Sequence, residues 1–150
     1  MKTPQVTVYA KNAGVEISPY EKRAEGKPRE GRISLRFFKM DSGTQHIRFI
    51  AEPLEGFELC RMINKIFQEG GKETLTHKFE SNGAEIITKL TVERYERNSR
   101  TGFALGIQRG DESINVAAAT STFLYAAEFL KHLSMTEAWV AQAVQWPKPE

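Results

Sequence analysis

Apolar residues at every second position on both sides of a turn-forming tetrapeptide restrict the fold of this chain more than any other feature. Residues 32–40 and 45–51 alternate in this way around Asp41-Ser42-Gly43-Thr44. A period of two sends successive side chains to opposite faces of a strand, so the segment predicts an antiparallel hairpin. Ile33, Leu35, Phe37, Ile47, Phe49 and Ala51 then face a core, while Arg32, Ser34, Arg36, Phe38, Met40, His46, Arg48 and Ile50 face away.

After Pro53 the period changes. Leu54, Phe57, Cys60, Ile63, Ile66 and Phe67 recur at three-to-four spacing until Gly70-Gly71, which predicts an amphipathic helix. A second strand group follows over residues 74–80, 84–97, 103–109 and 113–117, separated by turn-rich Ser81-Asn82-Gly83, residues 98–102 and Gly110-Asp111-Glu112. Residues 6–17 add two short strands around Asn12-Ala13-Gly14. Residues 18–31 mix Pro, Gly and both signs of charge, with Tyr20 as the one large apolar group, and are expected to be a mobile loop. A last helix is expected over about residues 121–145, capped by Thr120 or Ser121, with Phe123, Leu124, Ala127, Leu130 and Leu133 on one face. Ser134 and Thr136 mark a kink or restart in it.

Strands, helix, strands, helix is an α+β order, an antiparallel sheet packed against helices with a loose duplication of architecture. With 150 residues, 40% of them hydrophobic, residues 1–150 form one domain around one core.

Charge narrows the partners. The formal charge of +2, from 21 basic and 19 acidic residues, leaves any polyanion site as a local patch. A single cysteine, Cys60, excludes a disulfide framework and a multi-cysteine metal site, which fits a reducing, cytoplasmic setting. No apolar run has the length of a membrane span, and the N-terminus lacks a secretory pattern.

The outward faces carry the functional signal. Arg36 and Arg48 share the face of the first hairpin with Phe38, Met40 and Ile50. On the long strand Ile87, Lys89, Thr91, Glu93, Tyr95 and Arg97 lie together, with Ala104 and Gly106 of the next strand beside them. Guanidinium groups suit phosphates, flat apolar groups suit unstacked bases, and small residues beside Tyr95 leave room for a base. The combination points to single-stranded nucleic acid. The bland reading has equal standing: strand Arg and Lys that blunt edges, with the aromatics covered by a helix or partner chain.

Catalytic signals are absent. His46, His77 and His132 fall on two strands and a helix without ligand spacing, so no metal or other cofactor is expected. Cys60 lies between Phe57 and Ile63 as a small core residue. Acidic pairs such as Glu93 with Glu96 read as solvated, and Gly102, Gly106 and Gly110 match no nucleotide-binding loop. The chain is therefore not expected to be an enzyme. Apolar residues on several faces of residues 123–146, among them Tyr125, Phe129, Met135, Trp139 and Trp146, suit either burial in the monomer or a homodimer or higher homo-oligomer.

The run TVERYERNSRTGFALGIQRGDESINVAAATSTFLYAAEFLKHLSMTEAWV, residues 91–140, resembles the archaeal ThermoDBP and ThermoDBP-related single-stranded DNA-binding proteins. The resemblance implies a sheet packed on helices and an oligomer built through the helical side. It also implies a cleft holding bases by hydrophobic contact and phosphates by basic groups, without cofactor or catalysis. By position it places Arg36, Phe38, Arg48, Lys89, Tyr95 and Arg97 around that cleft. The chain departs from the family in lacking a leucine heptad after Trp139. The expected ligand is single-stranded DNA or RNA. The rival is an oligomeric protein-interaction module with a basic-aromatic face.

Overall fold

Every strand pairing in the computed structural model, which describes residues 4–41 and 45–138, joins strands that are consecutive in the chain. Strands β1 (Val6–Tyr9), β2 (Ala13–Lys22), β3 (Glu30–Lys39) and β4 (His46–Ala51) form one antiparallel sheet in that order. Helix α1 (Pro53–Glu69) follows. Strands β5 (Gly71–Ser81), β6 (Ala84–Arg97), β7 (Arg100–Arg109) and β8 (Glu112–Ala118) form a second sheet, and helix α2 (Thr120–Thr136) completes the described fold. The expected α+β order holds, with the duplication resolved into two four-stranded meanders, each followed by a helix.

The alternation in the first hairpin translates directly into burial. Leu35 pairs with Phe49 and Phe37 with Ile47, and Ile33, Leu35, Phe37, Ile47, Phe49 and Ala51 are each at most 1% exposed. From the second sheet Leu90, Val92, Phe103, Leu105, Ile107, Ile114 and Val116 enter the same core, as do Leu59, Ile63 and Ile66 of α1 and Phe123, Leu130 and Leu133 of α2. Phe103 stacks on Phe123 at 4.6 Å, tying β7 to α2. Cys60 is buried as expected, and desolvation pushes its thiol above the usual range.

Several boundaries move. The loop expected over residues 18–31 shrinks to residues 23–29, because Ser18, Tyr20 and Lys22 continue β2 and pair with Ser34, Arg32 and Glu30. Backbone pairing needs no apolar side chain, and Arg23 and Arg29 close the connection on Glu21. Pro19 is tolerated because β1 pairs only with Gly14–Ile17 and leaves that edge of β2 free. At the first turn of α1 the inward face carries Gly56, Leu59 and Cys60, so Leu54 and Phe57, expected inside, are 72% and 37% exposed. Helix α2 begins on Ala119 as N-cap, without a hydroxyl cap, and closes at Glu137, whose N–H donates to the Leu133 carbonyl. It thus stops short of residue 145. Trp139 and Trp146 lie outside the described residues.

Candidate nucleic-acid interface

Register places the six expected residues on two sheets that turn their inner faces to one core. On the outer face of the first sheet one row reads Tyr9, Gly14, Phe38 and His46, and the next reads Thr7, Glu16, Arg36 and Arg48. On the second sheet Lys89 pairs with Gln108, Tyr95 with Gly102 and Arg97 with Arg100. Six residues of strand separate Lys89 from Tyr95, roughly 20 Å at the rise of a β-strand. The six therefore do not line a single groove: Arg36, Phe38 and Arg48 share one face, and Tyr95 and Arg97 occupy the far end of β6.

Both aromatics lie down on a glycine across the strand pair. A β-carbon on Gly14 would fall 2.5 Å from the Phe38 ring, and one on Gly102 the same distance from the Tyr95 ring. The room expected beside Tyr95 is thus filled by its own side chain. Ala104 is buried, and Asn115 Oδ1 stands 3.0 Å from where a β-carbon on Gly106 would be. Covering a strand glycine with a cross-strand ring shields exposed backbone, which gives Phe38 and Tyr95 a structural task. Phe38 is occupied further: Tyr9 meets it edge-on at 6.1 Å, and the Arg36 guanidinium lies 5.0 Å from its centroid while reaching Glu16 at 3.5 Å.

The sheets meet at the surface elsewhere, along a seam between β4 and the ends of β5, β6 and β7. Arg109 crosses it. Its Nε–H donates to Thr88 Oγ1 at 2.9 Å, its Nη2–H to the Arg48 carbonyl at 2.8 Å, and its guanidinium lies 5.8 Å from the Phe79 centroid. Two depressions share Arg109, one of about 460 Å³ with Ile86, Ile87, Lys89 and Gln108, the other of about 220 Å³ with Arg48, Phe49, Ile50, His77 and Phe79. The floor is held by His77, stacked on Phe49 at 4.0 Å with Nε2 2.7 Å from Glu55. Glu55 also accepts from the Glu52 N–H, so the start of α1 is pinned to the same point. Of the expected set, Arg48 lines the smaller depression, with Ile50 and Phe79, and Lys89 the larger, with Ile87; Arg109 is common to both. Phe79 was missed because it has core parity on β5, yet it overhangs the core next to the turn after Ser81 and is 45% exposed. Its position beside a turn signal was the available clue.

Acceptor accounting separates structural from available cations. Of the chain's ten arginines, Arg23, Arg29, Arg32, Arg36 and Arg61 reach carboxylates, and Arg94 and Arg109 reach backbone carbonyls. Among the described residues no hydrogen-bond acceptor or carboxylate engages Arg48, Arg97 or Arg100. Arg48 stands at the seam; Arg97 and Arg100 stand at the far tip. No group of three or more metal-ligating side chains forms among the described residues, and no described helix is long and apolar enough to cross a membrane.

The fold defines a class: α+β proteins made of two consecutive antiparallel meanders, each followed by a helix, around a shared core. Within it the chain is similar to the plant transcriptional regulator PBF-2, with a TM-score of 0.61 and 16% identity over 99% of this chain and 90% of that one. It is also similar to WHY1 from Arabidopsis thaliana, with a TM-score of 0.59 and 15% identity over 97% of this chain and 99% of the other. At these identities the likeness is one of fold. No family model and no curated protein matches the sequence. Neither plant protein is an archaeal ThermoDBP protein, so the fold does not establish the affiliation expected from residues 91–140.

Proposed function

We propose that this chain binds single-stranded DNA or RNA with little regard for base sequence, and that the seam between its sheets is where it does so. The observation that carries the reading is the Arg48 guanidinium, without an acceptor among the described residues, beside the exposed ring of Phe79 and the anchored Arg109. Phosphates would meet Arg48 and the free donors of Arg109, and bases would lie against Phe79 and Ile50; Lys89 and Ile87 would continue the track in the adjoining depression beyond Arg109. Arg36 and Phe38 adjoin on the same sheet as secondary contacts, since Glu16 and Gly14 already engage them. The ThermoDBP resemblance and the transcriptional role of one protein of this fold support the same ligand class.

Titrating fluorescently labelled oligo-dT at low and high salt tests this. Saturable binding that weakens steeply with salt is expected, because bound phosphates release counterions. Absence of saturable binding, or duplex bound as tightly as single strand, refutes it. The reading includes a cytoplasmic, non-catalytic protein that self-associates through its helical side, where Leu54, Phe57, Tyr125 and Met135 leave apolar surface uncovered. Light scattering that gives only monomer mass at micromolar concentration would remove that part. Oligonucleotide binding also separates the proposal from a protein-interaction module.

A further inference from the structure

The tip of the β6–β7 hairpin concentrates positive charge that no carboxylate among the described residues engages. Residues 98–102 were expected to be a loop, but β7 begins at Arg100 and the turn contracts to Asn98-Ser99, both left-handed at φ 53° and 63°. A two-residue turn of this hand sets the flanking residues directly opposite each other, and those are Arg97 and Arg100. Like charges in that position oppose pairing. Glu96 occupies the next register position, opposite Thr101, and alternation sends its carboxylate to the other face. One row inward, on the same face as the two arginines, the Tyr95 ring lies flat on Gly102. Tyr95, Arg97, Asn98, Arg100, Thr101 and Gly102 enclose a depression of about 450 Å³.

We infer that this tip is a second phosphate site, separate from the seam, that grips the backbone of a bound nucleic-acid strand between Arg97 and Arg100 with the Tyr95 ring beside it. Arg94, three residues away, shows what a structural arginine does in this sheet: it crosses to α1 and donates to the Phe67 carbonyl at 3.0 Å. Arg97 and Arg100 have no such anchor among the described residues, although a tight turn holds their roots close together. A phosphodiester bridging them relieves their repulsion and forms charge-assisted hydrogen bonds. Eight residues of β6 separate Arg97 from Lys89, roughly 27 Å of strand, so a short oligonucleotide reaches one site and a long one reaches both.

The inference rests on the nucleic-acid reading above, and its test keeps the two apart. The full-length chain and the double variant Arg97→Gln/Arg100→Gln are titrated with short and long oligo-dT over a salt series. For the long oligonucleotide the variant's log K against log[salt] slope should flatten by about 1.4, two contacts at about 0.7 each. The short one, held at the seam, should keep its slope, and Arg97→Lys/Arg100→Lys should retain the steeper long-oligonucleotide slope. The thermal midpoint of the Gln variant should not fall, since a like-charge pair has been removed; a fall would assign the arginines to the scaffold and overturn the inference. An unchanged long-oligonucleotide slope in a folded variant overturns the second site and leaves the seam reading standing. If the wild-type chain binds neither length, both readings fail.

Discussion

Replacing Arg109 by Ala measures what joins the two sheets at their surface seam. The substitution removes the donation to Thr88 Oγ1 and the one to the Arg48 carbonyl, and it uncovers the Phe79 ring. Thr88 is only 1% exposed, so its hydroxyl loses a partner that water cannot readily replace. Two such hydrogen bonds contribute about 1–1.5 kcal/mol each and the ring contact about 0.5–1, a loss of about 2–4 kcal/mol in all. For a chain of this length that corresponds to a fall in Tm of roughly 5–15 °C. Urea unfolding followed by circular dichroism gives the number directly. Thr88→Val and the double variant complete a cycle: because both partners of one bond are gone in the double, its loss should be smaller than the sum by about 1 kcal/mol. Arg109→Lys should recover little, since an ammonium cannot span both acceptors as a planar fork does. Additivity of the two substitutions within about 0.5 kcal/mol, or full recovery by lysine, would refute the strap.

Phe79→Ala should weaken oligo-dT binding by about 1–3 kcal/mol, the range of one base–aromatic stack, with a fall in Tm of no more than about 4 °C from the lost contact with Arg109; Phe38→Ala should show the reverse balance, because its ring covers Gly14. Gly31→Ala places a β-carbon on the backbone carbonyl of Glu137, and since both groups are main chain the cost should reach about 1–3 kcal/mol in chemical denaturation; an unchanged midpoint would contradict the tight passage there. Cys60, buried with its thiol pushed up by desolvation, should resist a thiol reagent at pH 8 until urea unfolds the protein, and rapid labelling of the native chain would disprove that burial.

Much of the architecture was legible in the sequence, because strand and helix periods leave separate marks. The inward residues of β3, β4, β6 and β7 follow from alternation alone. What stayed hidden depended on partners distant in the chain. Tyr20 looked isolated because its support comes from Arg32 across a strand pair. Leu54 and Phe57 fit a helical period, yet the face turned inward begins at Gly56, whose missing β-carbon admits Ile33. Alternation also put Phe38 and Tyr95 outward correctly without showing that each lies on a glycine. At the candidate site, Arg48 and Lys89 were readable as exposed cations, whereas Arg109 and Phe79 gain their place only when two sheets from different halves of the chain meet.

The order of the strands has a kinetic meaning. No strand crosses from one sheet to the other, and each pairing joins neighbours in the chain. Each layer can zip from its own hairpins over short loops, whose closure entropy is small. Long-range ordering is thereby deferred to one step, in which two locally assembled halves bring α1 against α2 and seal the shared core. Arg109 and Thr88 then lock the seam after the halves have met, so losing them should hasten unfolding and leave the folding rate almost unchanged.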